Sequence, residues 1–313
     1  MSVVSPMSLM SGSVVVFGSL VSLSSETWVS LWLGMELNLY GFLVMMNSSG
    51  RYVPEPSVKY FVIQSLGSIG MLSGIILSVE FFSGLGWPLM VSSVVMKTGI
   101  FPTHSWVPSV MKNSSWLCGA LLLSWQKVAP LVFLSVILSD SVIWLAVVFM
   151  SLIGGVGGLN QYSVRLMSAY SSFVHTSWMF ASLMFSMEMF ILYFLLYSAS
   201  VGALFHGCSL VEKSKASSKV SSGSIGLSLG MLSGVPPFVG FLSKLVVFAV
   251  TESLMILFCV AGSVISLKFY IDFFYSMILS SYKEKMYAGM AMSVVLVLAV
   301  NFSVFLGVVL LLM

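Results

Sequence analysis

Apolar residues run along this chain in long blocks, with polar residues gathered in the short gaps between them. A helix needs roughly 17–25 apolar residues to cross about 30 Å of hydrocarbon. Eleven such blocks, at about 7–24, 28–46, 58–79, 86–110, 116–139, 141–159, 165–185, 187–207, 224–250, 253–276 and 289–312, predict eleven transmembrane helices. Little chain is left for anything else. The expectation is an all-α membrane protein with one polytopic domain over 1–313.

Composition supports the bilayer as solvent. Hydrophobic residues make up 58% and charged residues 7% of the 313 positions, against about 25% charged in soluble domains. Mean hydropathy is +1.07, so there is too little polar residue to coat a soluble globule.

Loop charge supplies an orientation, because Lys and Arg collect on the side from which a membrane protein is inserted. With eleven crossings, Arg51, Lys59, Lys112, Arg165, Lys213, Lys215, Lys219, Lys283 and Lys285 share the side of the N-terminus. The opposite side carries Glu26, Glu80, Asp140, Glu188 and Glu252 and no basic residue. The N-terminus is expected inside and the C-terminus outside. The net charge of +3 reflects this asymmetry; no basic run is concentrated enough to track phosphates, which excludes a nucleic-acid partner.

Five charges sit where the chain should be deepest in the bilayer: Glu36, Lys97, Lys127, Lys244 and Lys268. A charge at bilayer depth costs a few kcal/mol even on forgiving insertion scales, so such residues face a bundle interior or a wet cavity and mark an ion path. Glu36, central in its block, requires a cation nearby, either as a structural partner or as a proton-relay carboxylate. Lys97 precedes Gly99 and Pro102, and Lys127 precedes Pro130. Proline frees carbonyls that water or side chains must satisfy, and membranes tolerate such breaks where they line a cavity. The ninth block is interrupted by Pro236 and Pro237, with Lys244 beyond the break. Two broken helices, near Pro102 and near Pro236/Pro237, form the layout of secondary transporters with midplane ion sites.

Lys268 and Asp272 are spaced to neutralise one another on one helix face or to join the path. His104 follows the first break. His175 and His206 lie in apolar blocks, where a satisfied core histidine and a proton carrier are both open readings. Cys118, Cys208 and Cys259 have no metal or redox spacing and read as small packing residues. Gly154, Gly155, Gly157 and Gly158 end an apolar block without the third glycine of GxGxxG, which points to close helix packing rather than nucleotide binding. No ligand set for a metal, flavin or iron–sulfur cluster stands out, so redox chemistry is expected in another chain.

Six strings then carry a family likeness: WLGMELN (32–38), KYFVIQSLGS (59–68), MKTGIFPTHSWVP (96–108), WQKVAP (125–130), GGLNQYSVRLMSAYSS (157–172) and GVPPFVGFLSK (234–244). In order and spacing they resemble the subunit 2 family of mitochondrial NADH dehydrogenase, the antiporter-like proton-pumping chains of respiratory complex I, over about residues 28–250. C-terminal helices over about 253–312 complete the domain. The animal members are N-terminally shortened, and eleven crossings fit that form. The resemblance implies that Glu36 pairs with Lys97, that Lys127 bridges, and that Lys244 serves the second broken helix near the exit, as a proton relay. Changing the Glu36–Lys97 separation would alter the proton affinity of Lys97 and, through Lys127, that of Lys244.

It further implies a core membrane-arm subunit that translocates protons across the mitochondrial inner membrane, driven by NADH oxidation and ubiquinone reduction elsewhere. NADH, flavin, iron–sulfur clusters and ubiquinone then belong to partner subunits, with no cofactor in this chain. Its partners are other membrane-arm and accessory subunits and membrane lipid, with cardiolipin a candidate. The N-terminus would face the matrix and the C-terminus the intermembrane space. A stand-alone cation/proton antiporter and a non-pumping structural or assembly subunit are the alternatives.

Overall fold

The computed structural model describes residues 6–48, 54–79, 83–213, 219–236, 238–251 and 254–282. The eleventh apolar block, Pro237, Arg51, Glu80, Lys215, Glu252, Lys283 and Lys285 lie outside the described residues. Among those described, all regular structure is helical: α1 (Pro6–Leu23), α2 (Trp28–Ser48), α3 (Glu55–Val79), α4 (Ser83–Thr98), α5 (Trp106–Asn113), α6 (Trp116–Leu123), a 3₁₀ turn (Trp125–Lys127), α7 (Val128–Ile137), α8 (Asp140–Gly158), α9 (Val164–Leu183), α10 (Met187–Lys213), α11 (Lys219–Ser233), α12 (Val239–Val250) and α13 (Met255–Tyr282).

Each described apolar block coincides with helix, but three are built in pieces. Block 86–110 is α4 and α5; block 116–139 is α6, the 3₁₀ turn and α7; block 224–250 is α11 and α12. Among the described residues, seven stretches are long and apolar enough to cross a membrane: α1, α2, α3, Trp116–Ile137, α8, α10 and α13.

Helix α9 is long enough but not apolar enough, because six of its positions are serine or threonine. Fifteen of its residues are nevertheless buried inside the protein. Ser168, Ser171, Ser172, Thr176, Ser177 and Ser182 each donate a hydroxyl hydrogen to the carbonyl three residues back. Burying a hydroxyl without a partner is costly; these hydroxyls carry their partner with them.

The chain divides between Ile143 and Trp144 into two compact units. In the first, α1 packs along α2 and α3 along α4, while α5 lies on α3 and α7 on α4 and α1. Phe42, Met71, Met90, Leu123 and Leu131 form its buried interior. In the second unit α9 packs against α10, α12 and α13, with Phe173, Trp178, Phe180, Tyr193 and Phe269 fully enclosed. The glycine run at 154–158 serves this packing. A Cβ on Gly154 would stand 2.7 Å from the Tyr170 carbonyl oxygen, and one on Gly157 would stand 2.5 Å from the Tyr170 ring.

Candidate functional site

Helix α4 ends at a left-handed glycine. Gly99 has φ +69°, a conformation that only glycine adopts freely. Its N–H donates to the Met96 carbonyl at 3.3 Å, and the Ile100 N–H reaches the Val95 carbonyl at 3.3 Å, the paired bonds of a Schellman stop. Other elements meet the remaining acceptor capacity of this helix end. Trp106 Nε1 donates to the Met96 carbonyl at 3.1 Å and Gln64 Nε2 to the Lys97 carbonyl at 3.0 Å. The break is thus a built helix terminus held by α3 and α5. Lys97 occupies the last turn of α4.

From that turn Lys97 reaches α2, where its Nζ lies 3.4 Å from Glu36 Oε1. The lysine side chain is 3% exposed and the carboxylate 14%, so neither charge has bulk water as its principal partner. Gly67 makes room for the stem: a Cβ there would stand 2.7 Å from Lys97 Cγ.

Beside the pair lies a cavity with about 30 Å³ of space for water, on the order of two molecules. Lys97 and Lys127 both line it, together with Asn38, Tyr60, Gln64 and Gln126.

Lys127 is buried and ends the 3₁₀ turn between α6 and α7. Pro130 explains the turn. Proline has no N–H for the carbonyl four residues back, and its ring crowds that carbonyl, so a regular helix through Gln126 is disfavoured. The chain leaves the α conformation at Ser124 and restarts at Val128, which places Pro130 in the first turn of α7, where no N–H is missed.

In the second unit Gly234, at φ +72°, ends α11 as Gly99 ends α4. Lys244 of α12 is buried and donates from Nζ to the Ser233 carbonyl at 3.0 Å. It thereby caps the C-terminus of α11, where the helix dipole favours a cation. Among the described residues no carboxylate forms an ion pair with it.

The remaining candidates are dispersed. His175 is a buried core residue of α9, its Nδ1 2.9 Å from the Tyr193 hydroxyl and its ring centroid 4.7 Å from that of Tyr197. His104 is half-buried in the α4–α5 connection and stacks on Phe101. Two expectations change. His206 is exposed on α10 rather than enclosed in the core. Lys268 and Asp272 are both exposed on α13, and no ion pair joins them. Four-residue spacing aligns side chains on one face without drawing them together when both are free to point outward.

Neutral polar groups were overlooked in the sequence. Asn38, Tyr60, Gln64 and Gln126 line the cavity, yet each sits one or two residues from a noted charge or inside an otherwise apolar block. A lone amide there is the signal that could have found them.

Residues 25–269 match the family model described as NADH:quinone oxidoreductase/Mrp antiporter, transmembrane. The NADH-ubiquinone oxidoreductase chain 2 of Mytilus edulis is 57% identical over 279 residues, spanning 89% of each chain. This chain belongs to the NADH-ubiquinone oxidoreductase chain 2 family. The Anopheles gambiae chain 2 is 32% identical over 290 residues, 86% of this chain and 85% of that one. A chain of respiratory complex I from Thermus thermophilus shares the fold, with a TM-score of 0.79 at 18% identity over 96% of this chain and 78% of its own. As a member of the chain 2 family, the protein is a multi-pass, antiporter-like membrane chain.

Proposed function

We propose that this chain is a proton-translocating membrane-arm subunit of NADH-ubiquinone oxidoreductase in the mitochondrial inner membrane. The observation that carries the reading is the buried Glu36–Lys97 pair at the end of α4, beside a water-sized cavity shared with Lys127. An ion pair taken out of water is poorly justified by stability alone, since apolar replacements often do as well. It is well suited to a switch, because the attraction depends steeply on separation in a medium of low polarity.

In this scheme the Glu36–Lys97 distance sets how firmly Lys97 holds its proton, Lys127 exchanges protons with it through cavity water, and Lys244 serves as the lysine of the second broken helix. His175 and His104 are retained as candidate carriers. Lys268, Asp272 and His206, all exposed, have the weakest claim. In the same scheme the chain crosses eleven times, with α4–α5 and α11–α12 as the two broken crossings, and the excess of Lys and Arg in one set of loops favours the basic loops and the N-terminus facing the matrix and the C-terminus facing the intermembrane space. Electron transfer from NADH through flavin and iron–sulfur clusters to ubiquinone belongs to partner subunits, and this chain holds no cofactor. Other membrane-arm and accessory subunits and lipid, cardiolipin included, complete its surroundings.

Moving one proton against 100 mV costs about 2.3 kcal/mol, so the driving step must come from the quinone reaction. Lys127→Met tests the reading. It keeps the length of an apolar stem and removes the titrating amine. The assembled complex should lose proton pumping and quinone-linked turnover while passing electrons from NADH to a hydrophilic acceptor normally. Pumping at the wild-type proton-to-electron ratio would refute the relay.

A further inference from the structure

The 3₁₀ turn that carries Lys127 is tethered on three sides. Trp125 Nε1 donates to Ser19 Oγ of α1 at 3.0 Å. Gln126 Nε2 donates to Asn38 Oδ1 of α2 at 3.0 Å, and Gln126 Oε1 accepts from the Tyr60 hydroxyl of α3 at 3.4 Å. The Tyr60 ring is itself fixed, edge-on to Phe42 at 5.1 Å and tilted against Trp106 at 6.0 Å. Asn38 and Tyr60 are buried, so neither has bulk water as an alternative partner.

A single amide therefore uses both its ends to hold the Lys127 turn against the helix that carries Glu36 and against the helix whose Gln64 holds the backbone of Lys97. All three members of this chain line the cavity that Lys97 and Lys127 share.

We propose that Gln126 is a positioning residue for proton transfer: the Tyr60–Gln126–Asn38 hydrogen-bond chain locks the turn so that the Lys127 amine opens onto the same water as Lys97. The proposal rests on the relay reading above. A side-chain amide does not exchange protons usefully near neutral pH, so Gln126 carries none itself. It fixes where the amine stands and gives the cavity water a polar wall of set orientation. Because the tethers run to α2 and α3, a shift of α2 that changes the Glu36–Lys97 distance also pulls on the Lys127 turn. The titrating groups facing this turn from the packed elements are Lys97, Tyr60 and, through Lys97, Glu36.

The test uses the intact complex in sealed inner-membrane vesicles. Gln126→Met keeps the shape and removes both hydrogen bonds. Quinone-linked turnover and pumping are expected to fall about fivefold, the equivalent of one ordinary hydrogen bond, with the NADH-to-hydrophilic-acceptor rate unchanged. Gln126→Glu keeps the shape and adds a carboxylate beside Lys127. The limb of the pH–turnover profile governed by that lysine is expected to move to higher pH by about one unit, a readout that a loss of assembly or stability alone would leave still. Wild-type turnover and pH profile in these variants would overturn the proposal. Should Gln126→Met fail to accumulate, Tyr60→Phe carries the test: it deletes one hydroxyl, keeps the ring packing and should slow turnover about twofold, and an unchanged rate overturns the role. Lys127→Met run in parallel separates the two ideas. If it pumps normally the relay fails; if it is inactive while the Gln126 variants match wild type, only the positioning role fails.

Discussion

Two interrupted helices in this protein share a design and differ in how their lysine is compensated. In each unit three helices precede an interrupted one, the first piece stops at a glycine with positive φ, and a buried lysine lies close by. Lys97 precedes its break and meets a full opposite charge on another helix, Glu36 of α2. Lys244 follows its break and meets the carbonyl end of α11, eleven residues back along the chain. A helix terminus offers about half a charge. The second helix of the first unit carries Glu36, whereas that of the second unit carries His175 bonded to a tyrosine. One lysine thus depends on the position of a separate helix, and the other on a partner that belongs to its own interrupted helix. The first setting can be switched by helix movement, while the second stays constant as long as the break keeps its shape.

Breaking that contrast should give its largest effect at Glu36. Glu36→Gln leaves Lys97 buried without its countercharge, a loss of about 3–5 kcal/mol for such pairs, read as less assembled complex, a lower melting temperature and no pumping. Glu36→Gln combined with Lys97→Met should regain most of the stability and none of the pumping. A double variant no more stable than the single one would show that the two residues are not coupled. Lys244→Met should cost less, about 1–3 kcal/mol for one abandoned carbonyl, while still stopping transport. Equal melting shifts for the two sites would erase the proposed distinction.

Next come the glycines. Gly99→Ala and Gly234→Ala each force a side chain into left-handed backbone at about 1–2 kcal/mol. A Cβ at Gly234 would stand 2.8 Å from the Lys244 amine, whereas at Gly99 it would meet Val107 at 2.5 Å. Pumping per assembled complex is therefore expected to fall more in Gly234→Ala. The smallest effects belong to Lys268→Ala and His206→Ala, exposed positions where stability should change by no more than about 0.5 kcal/mol and proton-to-electron ratios should hold.

Much of this site was legible because charge is conspicuous among apolar residues. Glu36, Lys97, Lys127 and Lys244 announce themselves, and Gly99, Pro102, Pro130 and Pro236 mark where helices cannot run on. What stayed hidden has physical reasons. Hydrogen-bonding reach is not written in sequence, so nothing joined Gln126 to residues 66 and 88 positions away. Periodicity gives a face but not its surroundings, which is why a pair and a path were both open readings for Lys268 and Asp272, and a core residue and a proton carrier for His206. The position of Lys97 in the last turn of α4 depended on where the helix stops, and the glycine settled that more sharply than the proline did.

The self-satisfied hydroxyls of α9 bear on how the protein is made. This helix leaves the ribosome before α10, α12 and α13, the elements that later enclose it, so it must wait beside lipid with six serines and threonines along its length. A free hydroxyl would be a burden there. Each of these has already spent its hydrogen on the turn behind it, and what it presents to a passing acyl chain is close to what alanine would present. For insertion alone serine and alanine are then close to interchangeable along α9, and it is only once the helix is enclosed that a hydroxyl such as that of Ser172, which meets buried Tyr197, tells them apart.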